Sequence, residues 1–280
     1  MRALLAAALA LAVASREGGL LSSALVDGTW QILRLDRATG ESRVLTRSPL
    51  DKRTPFATPG GGFGYRTSDN RLVVVRPDGT ESPLGDGAHP VKDAAFSPDG
   101  KRVVFARFRS DVPDASDLCI ASADGGDARV LVRGRGVHVQ PCFSPSGDEI
   151  VYSAGHGIGT YEIYRMRVDG GEPVRLTNDS FHDFRPAWSP DGAWIAFTSD
   201  RAGNYEIWRM RPDGSELSRL TTSPGLDADP AFSPDGKSIA FTTRRRGPLE
   251  IWTMDADGSE PAPVSEKAPA VEWRDPAWVR

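Results

Sequence analysis

Cysteine, histidine and long apolar runs are all scarce in this chain, and each scarcity excludes a class of protein. Of 280 residues only two are cysteine and four are histidine. No His-x-x-x-His or Cys-rich spacing accompanies them, so neither a metal site nor a cofactor is expected. Basic residues are scattered rather than gathered into a Lys/Arg tract, and the net charge is −4, which argues against nucleic acid as a partner. The one unbroken apolar run, Ala3 to Val13, is far too short to span a bilayer. Neither a Gly-x-Ser-x-Gly elbow nor a phosphate-binding Gly-x-x-x-x-Gly-Lys occurs.

What the chain has in quantity is turn chemistry. It contains 29 glycines and 22 prolines, against 39% hydrophobic and 26% charged residues. That is an ordinary globular balance with many turns and little room for long helices. The N-terminus carries Arg2, the short apolar run, and then Ala12-Val13-Ala14, which puts small residues at −3 and −1 of a cleavage site before Ser15. Residues 1–14 therefore read as an export signal and 15–280 as one domain. Cleavage would remove Arg2. No cysteine follows the run, so no lipid anchor is expected.

The chain repeats itself. Phe96-Ser-Pro-Asp-Gly100 recurs as Phe143-Ser-Pro-Ser-Gly147, Trp188-Ser-Pro-Asp-Gly192 and Phe232-Ser-Pro-Asp-Gly236, at intervals of 47, 45 and 44 residues. An independent Asp-Gly pair recurs at Asp78, Asp124, Asp169, Asp213 and Asp257, at intervals of 46, 45, 44 and 44. Within a unit, Pro-Ala-Trp188 ends a short strand and Ser-Pro-Asp-Gly makes a tight turn. Trp194 to Thr198 is a β-rich second strand, Tyr205 to Met210 alternates at the strand period, and Leu217 to Thr221 is a fourth. Four antiparallel strands in about 45 residues describe a propeller blade. Units open at Phe56, Phe96, Phe143, Trp188 and Phe232. A sixth is shared: Leu20 to Thr46 supplies three strands, and Asp275-Pro-Ala-Trp278 supplies the missing first one. An all-β, six-bladed propeller closed by its own termini is the expected fold.

Trp188-Ser-Pro-Asp-Gly, Ile195-Ala-Phe-Thr-Ser-Asp-Arg, Glu206-Ile-Trp and Asp213-Gly resemble the WD-like repeats of the TolB propeller family, over about Leu20 to Arg280. The resemblance implies an exported, periplasmic or secreted protein that binds a protein or peptide at the cell envelope. No membrane span is expected, and a monomer is. The alternative is a polysaccharide-directed lyase or hydrolase, similar to propeller lyases of pectin fragments.

The tight turns lie on one face, nearly identical from blade to blade, whereas the loops after strands two and four differ and lie on the other. Counting three residues back from each lead aromatic predicts a ring at the channel mouth made of Arg53, Asp93, Gln140, Arg185, Asp229 and Asp275. Its members either hold a peptide or small polar ligand or bond the neighbouring backbone to keep the blades in register. His89, His138, His182 and His156 all fall in loops of this face. His138 and His182 join the candidate binding residues, and an enzyme would be expected to bring two or more of His138, His182 and Arg185 together. Arg244-Arg-Arg246 reads as a solvated loop able to grip an anion. Cys119 and Cys142 offer a disulfide in an exported chain, but they occupy the places of Trp208 and Ala187 in sister repeats, where buried thiols are the simpler expectation.

Overall fold

A computed structural model describes residues 19–85, 89–155, 160–265 and 272–279. The signal segment 1–14 and His156 lie outside the described residues. Six four-stranded antiparallel sheets follow one another along the chain. Blade 1 comprises β24 (Trp273–Trp278), β1 (Leu20–Val26), β2 (Thr29–Leu35) and β3 (Ser42–Val44). Blade 2 runs through β4 (Lys52–Ala57), β5 (Phe63–Thr67), β6 (Leu72–Val75) and β7 (Glu81–Leu84). Blade 3 has β8 (Val91–Phe96), β9 (Arg102–Phe108), β10 (Ser116–Ser122) and β11 (Arg129–Val132). Blade 4 has β12 (Val137–Phe143), β13 (Glu149–Gly155), β14 (Tyr161–Arg167) and β15 (Val174–Arg175). Blade 5 has β16 (Asp183–Trp188), β17 (Ile195–Ser199), β18 (Glu206–Met210) and β19 (Ser218–Arg219). Blade 6 closes the series with β20 (Asp227–Phe232), β21 (Ser238–Thr243), β22 (Glu250–Asp255) and β23 (Ala262–Pro263).

The ring closes where the sequence places it. β24 pairs antiparallel with β1, matching Leu20 to Trp278 and Ala24 to Trp273. The first and last strands are thereby tied into one sheet, each covering an edge of the other. The outermost strands are short, down to two residues in β15, β19 and β23, which leaves little exposed ladder for another chain to pair with.

The apolar core is a set of clusters between blades rather than one central mass. Ile195 and Phe197 of β17 face blade 4 beside Val151 and Ile163, whereas Ala196 between them faces blade 6 beside Ile239 and Phe241. The next blade repeats this, with Ile239 and Phe241 turned back and Ala240 packed against Leu33 and Trp273 of blade 1. Second strands are therefore buried on both faces. Their alternation is between large and small residues, not apolar and polar, which is why they read as continuous apolar runs. Cys119 lies in the cluster between blades 2 and 3 and Cys142 in the one between blades 4 and 5. No disulfide joins them, and both are thiols filling core space.

The tight turns are self-contained. In blade 3 the Ser97 hydroxyl donates to Asp99 Oδ1 at 2.5 Å, the Lys101 N–H donates to the same oxygen at 3.0 Å, and the Arg102 N–H donates to Ser97 Oγ at 2.9 Å. Gly100 holds φ at 70°, which a side chain would strain. Ser189 and Asp191, and Ser233 and Asp235, repeat the arrangement. These hydrogen bonds, led by the serine hydroxyl, hold the Asp99 carboxyl below its ordinary value.

Candidate functional site at the channel mouth

Each innermost strand breaks register at one residue, and that residue adopts a left-handed backbone. The positions are Thr54 (φ 47°), Asp93 (55°), Gln140 (56°), Arg185 (57°), Asp229 (57°) and Asp275 (54°). The breaks fall within Arg53/Phe56, Lys92/Ala95, Val139/Cys142, Phe184/Ala187 and Ala228/Ala231. A non-glycine residue at positive φ costs about 1 kcal/mol or more, so the fold carries this strain in every blade. The bulge turns these side chains towards the channel. They line a cavity of about 150 Å³ together with Pro55, Pro141, Pro186, Pro230 and Pro276.

Five of the six expected ring residues are brought together here, and the sixth is not Arg53. The register of blade 2 places Arg53 opposite Arg66, before the break, and Thr54 at the bulge. Arg53 instead donates to Asp51 at 3.2 Å and stacks over Trp30 at 4.5 Å. Phe56 occupies the register of Ala95, not of Phe96, so the residue three before it falls one short of the bulge. The proline that follows the bulge in five blades, as in Thr54-Pro55 and Arg185-Pro186, is the better marker.

Arg185 dominates the electrostatics. Its Nη2 donates to Asp275 Oδ1 at 3.1 Å and its Nε lies 3.3 Å from Asp229 Oδ1, so one guanidinium spans blades 5, 6 and 1. Burial disfavours its charge, but the carboxylates of Asp229, Asp275 and Asp93 outweigh that and raise its pKa. Asp229 is pushed above the ordinary carboxylate value, first by burial and then by the like charge of Asp275, against the pull of Arg185. Backbone bonding is present too. The Arg185 N–H donates to Gln140 Oε1 at 3.0 Å and to Ser153 Oγ at 3.2 Å, and the Asp229 N–H donates to Thr198 Oγ1 at 3.1 Å. The ring thus ties consecutive blades together while presenting mixed charge to the cavity.

Among the described residues the histidines do not gather at this mouth. His138 is buried in β12, its Nδ1 2.8 Å from the Ser116 carbonyl and its N–H donating to Ser116 Oγ at 2.8 Å, so it staples blade 4 to blade 3. The His182 ring lies tilted against Tyr161, ring centres 6.4 Å apart, and its backbone N–H donates to Asp200 Oδ1 at 2.8 Å. His89 borders a different cavity. Arg244-Arg-Arg246 also separates: Arg245 turns inward and pairs with buried Asp227 at 2.6 Å, while Arg244 and Arg246 meet Glu272 and Glu250.

A second buried network recurs at the loop-face end of the blades. Glu206 accepts from Arg219 at 2.7 Å and from the Thr221 hydroxyl at 2.5 Å, and Glu162 does the same with Arg175 and Thr177, both at 2.6 Å. In blade 1, Gln31 and Thr46 stand in these places. Glu162 also lies with Asp179 and Asp183 in a group close enough to ligate a metal. Arg175 and Arg201 already pair with that group, so it reads as two blade clamps meeting. Among the described residues no helix is long and apolar enough to cross a membrane.

The comparisons with known proteins agree with this architecture. The family model for the TolB beta propeller domain matches residues 61–266. A Tol-Pal system protein TolB of Desulfosudis oleivorans is 49% identical over 47 residues, 17% of this chain and 11% of that protein. An uncharacterized protein of Agrobacterium fabrum is 34% identical over 104 residues, 37% of this chain and 34% of its own length. The matches therefore span about a third or less of these curated relatives. Among solved structures, TolB of Acinetobacter baumannii superposes with a TM-score of 0.78 at 21% identity, over 94% of this chain and 66% of that one.

Proposed function

The chain belongs to the TolB β-propeller family, and on that premise we propose that it is an exported, non-enzymatic module that binds a protein or peptide at the cell envelope through its channel mouth. The observation that carries this reading is the ion-paired, proline-lined cavity where Arg185 reaches Asp229 and Asp275. A rigid, polar cavity with side chains held by strained backbone is suited to receive an extended segment and fix its polar groups. The dispersal of His138 and His182 away from Arg185 favours binding over the polysaccharide-cleaving alternative. Export to the periplasm or the medium rests on the apolar segment ending at Ala14 and on the kinship with TolB. The expected state is a monomer.

The test is capture from envelope extract by the wild type and by an Arg185→Ala/Asp229→Ala double variant, each checked for folding by thermal melting, with the captured protein then titrated in purified form. Retention by the wild type and loss of at least tenfold affinity in the folded double variant is the expected result. Equal affinity would remove the channel mouth as the site. N-terminal sequencing of the exported protein, expected to start at Ser15, tests the compartment separately.

A further inference from the structure

Blade 3 breaks the clamp that blades 4 and 5 share. By register, Asp117 of β10 stands where blades 4 and 5 have Glu162 and Glu206. On the outer strand, however, Val130 and Val132 replace Arg175 and Thr177. The carboxylate has thus lost both its usual guanidinium and its usual hydroxyl. Arg107, at a position that is Ala154 in blade 4 and Ser199 in blade 5, supplies one replacement, and Arg133 beyond β11 supplies another. The compensation is uneven. Both guanidiniums meet the same oxygen, Asp117 Oδ2, at 3.3 and 3.0 Å. The other oxygen, Oδ1, is buried and has no hydrogen-bond partner among the described residues, on a side chain only 2% exposed. Buried carboxylate oxygens of this kind normally have a donor.

These groups line a cavity of about 170 Å³ on the loop face, bordered also by His89 and Arg109. Arg109 is neutralised by a two-pronged contact with Asp111, at 2.9 and 2.5 Å. Among the described residues Arg107 and Arg133 together face one carboxylate, which leaves one positive charge in excess, and both border the cavity. Asp117 itself borders this cavity, so an occupant that satisfies the wall must offer an anionic oxygen to the guanidiniums and a hydroxyl to the Asp117 carboxylate. We propose that blade 3 carries a binding site, separate from the channel mouth, for a small hydroxylated anion: a hydroxy-carboxylate or the phosphate ester of a polyol. Two guanidiniums beside one another are matched to either headgroup.

The experiment is calorimetric titration of the whole protein with gluconate, glycerol 3-phosphate, acetate and glucose. Saturable one-to-one binding of gluconate or glycerol 3-phosphate is expected, at least tenfold tighter than acetate, with no binding of glucose. The tighter of the two anions names the headgroup. Arg133→Ala, at a side chain 60% exposed and with folding checked by thermal melting, should weaken that binding at least tenfold. Arg107→Gln should do the same, and Arg185→Ala should leave it unchanged, which separates this site from the channel mouth. Absence of saturable binding to both hydroxylated anions, or unaltered affinity in Arg133→Ala, would overturn the site. Equal affinity for gluconate and acetate would overturn the contact to Asp117.

Discussion

Arg185 of blade 5 donates from Nη2 to Oδ1 of Asp275 in blade 1, at 3.1 Å and across ninety residues of sequence. The contact skips blade 6, whose Asp229 is held by the same guanidinium at 3.3 Å. It therefore acts as a strut across the channel, joining the closing strand β24 to a blade that does not touch it in sequence or in sheet. Its loss leaves two carboxylates in a confined space.

Arg185→Met is accordingly expected to cost about 2–3 kcal/mol near pH 8, because it strands like charges that water reaches poorly. The dependence on pH has a definite sign. Asp229 titrates above its ordinary 3.8 in the folded protein, so its contribution is full below that value and lost as pH rises through the raised one. Without Arg185 the rise is larger and the loss steeper. Melting curves at pH 5 and pH 8 should show a deficit in the variant that shrinks on the acid side; a deficit independent of pH would contradict this account.

The clamp of blade 5 gives a graded series. Glu206 is fully buried on Arg219 and Thr221. Glu206→Ala should cost about 3 kcal/mol by leaving a guanidinium and a hydroxyl without their acceptor. Glu206→Gln should cost about 1 kcal/mol, since Gln31 performs the same task with Thr46 in blade 1. Equal losses in urea unfolding of the two variants would show that the charge, rather than the acceptor, is what matters.

Thr54 combines a β-branched side chain with φ of 47° and a buried hydroxyl that has no partner among the described residues. Asparagine tolerates this backbone better. Thr54→Asn is expected to stabilise the fold by about 0.5–1 kcal/mol, seen as a higher melting temperature. A lower one would mean that the threonine packs more usefully than its geometry suggests.

Cys119 is fully buried and Cys142 partly so, in different inter-blade clusters. Alkylation of unreduced, denatured protein should therefore add two groups by intact mass. In the native state Cys119 should resist the reagent. A mass corresponding to no adducts would indicate a disulfide and a different packing.

Much of this molecule is legible along the chain because its punctuation is local. Ser-Pro-Asp-Gly closes its own hydrogen bonds within six residues, and Asp-Gly needs only a glycine that accepts positive φ, so period, strand order and blade count follow from sequence alone. Closure by β24 follows too, since Pro-Ala-Trp278 can complete only a blade that lacks a first strand. Partners from other strands and other blades are another matter. The bulge that selects Thr54 over Arg53, the Ser116 carbonyl that claims His138, and the inward turn of Arg245 all arise from residues about ten to twenty positions away, on other strands. So does the wall around Asp117, where the outer strand of one blade lacks what its sisters provide. Backbone turns are decided by adjacent residues, whereas the fate of a charged side chain depends on what the ring brings beside it, and that only the tertiary structure decides.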